Sequence, residues 1–215
     1  MTELLPSAPV LASYALAVAA LAITPGPDMT LFLSKAIGHS RAGGIACNIG
    51  ASLGLLVHSA MVALGLSALL VASATAFTVL KYVGAAYLAW LAYDALRNGS
   101  SFTLNGRSGD REPLSRLVAK GLFINLLNPK IIVFFITFLP QFVSATDPDA
   151  TAKLFVLGVL FVAISFPITM ALILSAGSFA TLLKRSRWVA RAIDFLFAGV
   201  LGAFAVKLFL WQGGR

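Results

Sequence analysis

The chain has 215 residues, of which 59% are hydrophobic and only 11% are charged, and its formal net charge is +8. A soluble domain carries roughly a quarter charged residues to keep its surface wetted. The composition therefore excludes an ordinary soluble domain and predicts one all-α membrane domain. The basic residues lie in short stretches between apolar runs, so we read the positive charge as a membrane-topology signal and expect no nucleic-acid partner.

Six apolar segments of about 20 residues or more predict six transmembrane helices. We place these spans at about 10–34, 42–70, 76–97, 115–143, 151–180 and 189–211. The first span does not have the form of a cleavable signal peptide, because the residues before it include Glu3 and no lysine or arginine. Inside the fifth span, Pro167 predicts a kink.

The loops after spans one, three and five are rich in basic residues. By the positive-inside rule these loops are cytoplasmic, which places both termini outside. The residues that carry this prediction are Lys35, Arg41, Arg97, Arg107, Arg111, Arg116, Lys120, Lys184, Arg185, Arg187 and Arg191.

Two spans are interrupted within their apolar length. Span one contains the segment 24–28, Thr-Pro-Gly-Pro-Asp, and span four contains the segment 125–130, Asn-Leu-Leu-Asn-Pro-Lys. A proline cannot donate its backbone nitrogen and leaves the carbonyl four residues earlier without its helical partner. In hydrocarbon each unsatisfied backbone group costs several kcal/mol, so we expect both breaks to be buried in protein or beside water.

Each break also has the signature of a helix start. We expect Thr24 to cap one half-helix with Pro25 at its first position, and Asn128 to cap another with Pro129 at its first position. The positive ends of these half-helices would then face the protein interior, where anions bind readily.

One ionisable residue follows each break, Asp28 after the first and Lys130 after the second. A charge near the bilayer centre costs at least ~2.5–3.5 kcal/mol, so both should face an interior cavity. We favour a functional role over a structural ion pair between them. Interrupted helices in corresponding positions indicate inverted repeats around a transport site, here about 10–97 and 115–211, joined by a cytoplasmic loop at about 98–114.

Several other features have a structural interpretation that we favour. The GxxxG of Gly50 and Gly54 is typical of tight helix packing. His58 in span two suits a proton relay, but we favour a histidine bonded to a neighbouring backbone carbonyl. For Phe134, Phe135 and Phe138 we expect packing or lipid contact, not a substrate cage.

Three motifs resemble those of the LysE/RhtB family of bacterial amino-acid exporters. They are the segment 24–28, the segment 125–130 with Phe134-Phe135 and 139–142 after it, and the segment 81–88, Lys-Tyr-Val-Gly-Ala-Ala-Tyr-Leu. The resemblance covers essentially the whole chain. It implies a six-span secondary exporter of the bacterial inner membrane, driven by a proton or ion gradient, whose substrate is an amino acid or a related small solute.

On this basis we expect alternating access around a site between spans one and four. The substrate carboxylate would meet half-helix amides and Lys130, while its ammonium group, or the coupling proton, would meet Asp28. The candidate substrate-binding residues are Thr24, Pro25, Gly26, Pro27, Asp28, Asn48, Asn125, Asn128, Pro129 and Lys130.

Two rival functions remain open from the sequence. An intramembrane enzyme would pair Asp28 with Asp194 as catalytic carboxylates, and a channel or ion exporter would use the same scaffold. The sequence has no His/Cys cluster of metal-ligand spacing and no phosphate-binding G-x-x-x-x-G-K-[ST] motif. We therefore expect no metal and no cofactor; the predicted partners are the lipid bilayer and a small-molecule substrate, and a homo-oligomer stays open.

Overall fold

The structure, a computed structural model, describes residues 4–24, 26–66, 74–98, 112–143 and 147–210. Within these ranges every regular element is helical, which confirms the all-α prediction. The helices are α1 (Ala8–Ile23), α2 (Pro27–Gly38), α3 (Arg41–Met61), α4 (Ala74–Asn98), α5 (Leu114–Leu126), α6 (Pro129–Phe138), α7 (Ala150–Leu174), α8 (Ala176–Arg185) and α9 (Arg187–Leu210). A π-helical turn at Val62–Leu66 extends α3, and a 3-10 turn at Leu139–Phe142 extends α6.

Helices occupy all six predicted spans in the described part of the chain. Two of them, Arg41–Gly65 and Ala150–Leu174, are long and apolar enough to cross a membrane on their own. The number among described residues rises to four if each of two bent pairs forms one span. The six-span inverted repeat therefore stays a prediction.

Both predicted breaks are present. Helices α1 and α2 meet at an angle of 54°, and α5 and the α6 segment meet at 55°. Span five, by contrast, ends earlier than expected, because α7 stops at Leu174 and a separate helix α8 follows. The apolar run gives way there to Gly177, Ser178 and Thr181, which are exposed. The predicted boundary at 180 was therefore wrong.

Helices α3 and α5 pack backbone to backbone through glycines. A Cβ atom on Gly50 would lie 1.9 Å from the Val118 carbonyl oxygen, and one on Gly121 would lie 2.0 Å from that of Cys47. Any side chain at these positions would force the helices apart. The packing interpretation of the GxxxG segment is confirmed.

Aromatic side chains of α6 form the centre of the main hydrophobic core. Phe134, Phe135 and Phe138 are at most 1% exposed, so they pack inside the protein and do not face lipid. Phe134 and Phe138 stack with ring centroids 4.2 Å apart. The Tyr14 hydroxyl donates a 2.6 Å hydrogen bond to the Leu157 carbonyl, which fastens α1 to α7 beside this core.

Two of the basic segments, the end of α2 and the start of α5, meet at Glu112. Glu112, just before α5, forms ion pairs with Lys35 of α2 and Lys120 of α5. Its backbone carbonyl lies 3.0 Å from Nε2 of His39. Hydrogen bonds from Lys120 and Lys35 lower the pKa of Glu112 from its usual 4.5 to about 2. The loop before α5 is thereby tied to the end of α2.

We expect Gly121→Ala to lower the melting temperature of the purified protein in detergent by several degrees. The new methyl group would overlap the Cys47 carbonyl, and overpacking of this kind costs about 1–3 kcal/mol. The matched control is Gly202→Ala on α9, where a Cβ meets no atom within 4 Å. This control should leave the melting temperature unchanged or raise it; an equal loss in both variants would contradict the packing account.

The Glu112 ion pairs predict a defined pH dependence of stability. Because the pKa of Glu112 is lower in the folded protein, its stabilising contribution is present above about pH 4.5 and is lost as the pH falls toward 2. The difference in melting temperature between wild type and Glu112→Gln should stay constant from about pH 7 to 5 and shrink below that. Molar salt should also reduce it. A difference that vanishes above pH 5 would argue against these ion pairs.

Candidate functional site

The first break separates α1 from α2 at residues 24–26. Thr24 follows the last residue of α1, and its hydroxyl donates a 2.6 Å hydrogen bond back to the Ala20 carbonyl. The N-cap of α2 is Gly26, no side chain caps this helix, and Pro27 is its first residue. The prediction that Thr24 caps the half-helix was therefore wrong, because its hydroxyl is used within α1. Pro25 lies outside the described residues.

The second break follows the predicted pattern. Asn128 is the N-cap of α6, its Oδ1 accepts a 3.1 Å hydrogen bond from the Lys130 amide, and Pro129 occupies the first position. Pro129 cannot donate to the carbonyl four residues earlier, that of Asn125. Nε2 of His58 lies 3.3 Å from this oxygen and, because a carbonyl only accepts, donates to it. The carbonyl-bonded interpretation of His58 is confirmed.

Lys130 of α6 reaches across to the end of α1. Its ammonium group lies 3.1 Å from the Thr24 carbonyl oxygen and 3.4 Å from that of Leu21, the carbonyl four residues before Pro25. It also lies 5.0 Å from the centre of the Phe197 ring on α9. A cation at a helix C-terminus interacts favourably with the helix dipole and the unpaired carbonyls. The Leu21 carbonyl also accepts from the Thr24 amide, so the lysine adds a second donor there and ties the second break to the end of α1.

Asp28, in the first turn of α2, is held from the other half of the chain. Nδ2 of Asn125 donates a 2.7 Å hydrogen bond to one carboxylate oxygen, Oδ2. The other oxygen, Oδ1, is buried without a hydrogen-bond partner. Asp28 and Lys130 are not an ion pair among the described residues, where an ion pair has its nitrogen and oxygen atoms within 4.0 Å of each other. The two charges therefore lie near one another without forming a direct structural ion pair.

Asp28, Asn125, Asn128 and Lys130 line one cavity of about 60 Å³ between α1, α2, α3, α5, α6 and α7. A water needs roughly 10–15 Å³ measured in this way, so the cavity has room for several waters or a small polar group. Its polar lining comprises Thr24, Gly26, Asp28, Asn48, Ser52, Asn125, Asn128, Lys130, Ser165 and Thr169. Asp28 Oδ1, Asn48 Nδ2 and Asn125 Oδ1 are buried there without hydrogen-bond partners.

The cavity brings together seven of the ten predicted site residues: Thr24, Gly26, Asp28, Asn48, Asn125, Asn128 and Lys130. Pro27 and Pro129 are exposed and do not line it; each instead begins a half-helix. Asp194 on α9 is buried but does not line the cavity, so it does not share the site with Asp28.

Sequence reasoning missed the polar residues that α3 and α7 add to the cavity, Ser52, Ser165 and Thr169. Ser165 and Thr169 are four residues apart, and residues at this spacing share one face of a helix. That spacing within a strongly apolar span was the signal available.

The cavity offers groups of both signs. The uncapped N-terminus of α2 and the Lys130 ammonium group suit an anion, and a Cβ on Gly26 would lie only 3.4 Å from Lys130 Nζ. The unpartnered oxygen of Asp28 suits a cation or a proton. Within the described ranges, no three His, Cys, Asp or Glu side chains are grouped so as to hold a metal. The arrangement is that expected for a small molecule carrying both charges.

A family model described as LysE type translocator matches residues 19–212. An uncharacterized membrane protein of Vibrio cholerae is 34% identical over 71% of this chain and 73% of the relative. The homoserine/homoserine lactone efflux protein of Salmonella typhimurium is 32% identical over 82% of each chain. The leucine efflux protein of an Enterobacter species is 28% identical over 87% of this chain and 89% of the relative. No solved structure matches the chain.

We expect Asn128→Ala to destabilise the protein, because it removes the side-chain cap of α6. Loss of an N-cap costs about 0.5–2 kcal/mol, which should lower the melting temperature by a few degrees. Asn128→Ser keeps an oxygen that can accept from the Lys130 amide and should recover most of this loss. Equal melting temperatures for the alanine and serine variants would show that the cap contributes nothing.

Proposed function

The chain belongs to the LysE type translocator family, and on that premise we propose that it exports amino acids or related small solutes from the cytoplasm by alternating access. Members of this family are transporters, not enzymes, and the chain is accordingly a multi-pass membrane translocator. Relatives named for efflux of homoserine and of leucine support amino acids as the substrate class.

The observation that carries the proposal is the meeting of Asp28, Lys130 and the uncapped α2 N-terminus in one cavity. The substrate carboxylate binds between the α2 amides and the Lys130 ammonium group. The substrate ammonium group binds at Oδ1 of Asp28, while Asn125 holds the other oxygen. A bound zwitterion thus supplies partners to polar groups of the cavity that have none. These interactions offset the free energy that the zwitterion loses on leaving water.

The contacts of Lys130 supply a link between binding and movement. In the structure its ammonium group is bonded to the carbonyls that end α1. A bound carboxylate competes for the same ammonium group and weakens its hold on α1. The two halves of span one are then free to change their angle, which is the motion that a broken helix in a transporter provides.

We place the protein in the bacterial inner membrane as two inverted three-span repeats with both termini outside. The gathering of Lys35, Glu112 and Lys120 at one end supports a common cytoplasmic face for these segments. Arg191 supports the same face, because its Nη1 donates a 3.0 Å hydrogen bond to the Leu96 carbonyl near the end of span three. For export driven by H⁺, Asp28 is the residue that carries the coupling proton, because its Oδ1 is buried without a hydrogen-bond partner.

We expect Asp28→Asn and Lys130→Met to reduce amino-acid counterflow in proteoliposomes by about 30-fold or more. Removing one charged partner of a desolvated pair typically costs about 2–5 kcal/mol. Lys153→Met is the matched control, because Lys153 pairs with Asp147 at 2.5 Å away from the cavity. It should retain wild-type counterflow. Wild-type rates for both Asp28→Asn and Lys130→Met would end the proposed site.

The same proteoliposomes separate an exporter from a channel. Flux through a transporter saturates with substrate and is driven by an imposed gradient, whereas flux through a pore rises with concentration and cannot be driven uphill. Uphill accumulation of an amino acid on imposing a proton or sodium gradient is the expected result. Non-saturable flux that is indifferent to both gradients would favour a channel.

A further inference from the structure

Helices α3 and α7 add polar side chains to the cavity besides those of the broken helices. Asn48 of α3 is 3% exposed and lines the cavity. The Thr169 hydroxyl of α7 lies 3.0 Å from Asn48 Oδ1, and equally close to two carbonyls of its own helix, those of Ser165 and Phe166. A hydroxyl has one proton, so Thr169 donates to one of these three oxygens at a time, and Asn48 Oδ1 is the one that belongs to another helix. Nδ2 of that amide is left as a buried donor without a partner.

The charges of the cavity limit what the substrate side chain can be. Among the residues that the structure describes, the lining contains one acidic residue, Asp28, and one basic residue, Lys130. The proposed function assigns both of them to the substrate's ammonium and carboxylate groups. A basic or acidic substrate side chain would then be buried without a counter-charge, which is strongly unfavourable in a membrane interior. An uncharged side chain fits this lining.

The polar and apolar parts of the lining are separated along α3. Asn48 and Ser52 lie toward the end of α3 that begins at the basic segment, whereas Leu55 lies two turns further, about 10 Å along the helix axis from Asn48. On α7, Thr169 lies within hydrogen-bond distance of Asn48, and Phe161 lines the cavity about two turns earlier in the sequence. A substrate side chain that reaches the Asn48 end meets hydrogen-bonding groups.

We propose that Asn48, positioned by Thr169, is a specificity-determining residue that recognises a hydroxyl group on the substrate side chain. The proposal rests on the proposed function and specifies its substrate class as neutral hydroxylated amino acids. A substrate hydroxyl accepts from Asn48 Nδ2. An aliphatic side chain of equal size leaves that buried donor unpaired, and sites built around hydrogen bonds reject such analogues more strongly than apolar pockets reject an added hydroxyl.

The test compares isosteric substrates in counterflow with the purified protein in proteoliposomes. Threonine is paired with valine and homoserine with norvaline, so that each pair differs by one hydroxyl in place of a methyl group. We expect wild type to prefer the hydroxylated member of at least one pair by about tenfold or more in kcat/KM. Asn48→Leu and Thr169→Val should reduce this ratio to within about threefold.

Two controls separate recognition from a general structural effect. Thr169→Ser keeps the hydroxyl and should keep the preference. Thr137→Val removes a buried hydroxyl that donates to the Val133 carbonyl and does not line the cavity, so it should also leave the preference unchanged. For any variant without measurable flux, the ratio is taken from the concentrations of each amino acid that raise its melting temperature half-maximally.

The possible results separate a failure of this inference from a failure of the proposed function on which it rests. Equal transport of both members of both pairs by wild type, or a preference that survives in both Asn48→Leu and Thr169→Val, overturns the role of Asn48. Transport of amino acids outside these two pairs only would also overturn the role of Asn48. In those cases amino-acid export stands. If wild type moves no amino acid of a full panel, the proposed function fails, and the specificity inference fails with it.

Discussion

The structure depends on how it completes two helix ends at which a proline removes the hydrogen bond to the carbonyl four residues earlier. In hydrocarbon such a carbonyl must find a donor within the protein or water. The Asn125 carbonyl, four residues before Pro129, accepts from the Asn128 amide of its own break and also lies next to His58 of α3. The Leu21 carbonyl, four residues before Pro25, accepts from the Thr24 amide and also from Lys130, which follows the other break. Each break thus combines a local backbone hydrogen bond with a donor from a distant part of the chain. Lys130 in addition links the second break to the first.

The contacts at the two breaks also determine where the charged side chains lie. Lys130 is drawn to the negative end of α1, and it thereby lies beside the positive, uncapped end of α2 at Gly26. Asp28 enters the same cavity from the first turn of α2 and is tied to the opposite half by Asn125. Opposite ends of two half-helices, one ammonium group and one carboxylate thus meet at one cavity, and the two charges do not form a direct ion pair. That residual polarity is what a zwitterionic ligand can use.

Local chemistry accounts for what could be predicted from the sequence. Proline and glycine determine where a helix must stop, and the cap at Asn128 uses a backbone amide only two residues away. The Thr24 cap was predicted wrongly because two prolines, 25 and 27, compete for the first helical position and the hydroxyl has a closer acceptor in Ala20. The spacing of Ser165 and Thr169 marks one polar face of α7, but the pattern alone does not show that Thr169 meets Asn48. Which neighbouring helix a face contacts is decided by the packing of the whole bundle.

The glycine contacts determine which parts of the bundle can move. Because Gly50 and Gly121 bring the backbones of α3 and α5 into direct contact, no layer of side chains remains there to rearrange. Sliding one helix past the other would drive backbone atoms into each other, so α3 and α5 must move as a unit. Asn125 belongs to that unit, whereas Lys130 lies beyond the second break. A change of angle at Asn128 would therefore move the ammonium group relative to Asp28, while the Asn125–Asp28 hydrogen bond, which lies before this break, keeps Asp28 in place relative to α5. The rearrangement that the proposed alternating access requires would thus be concentrated at the two proline breaks, where the charges of the proposed site also lie.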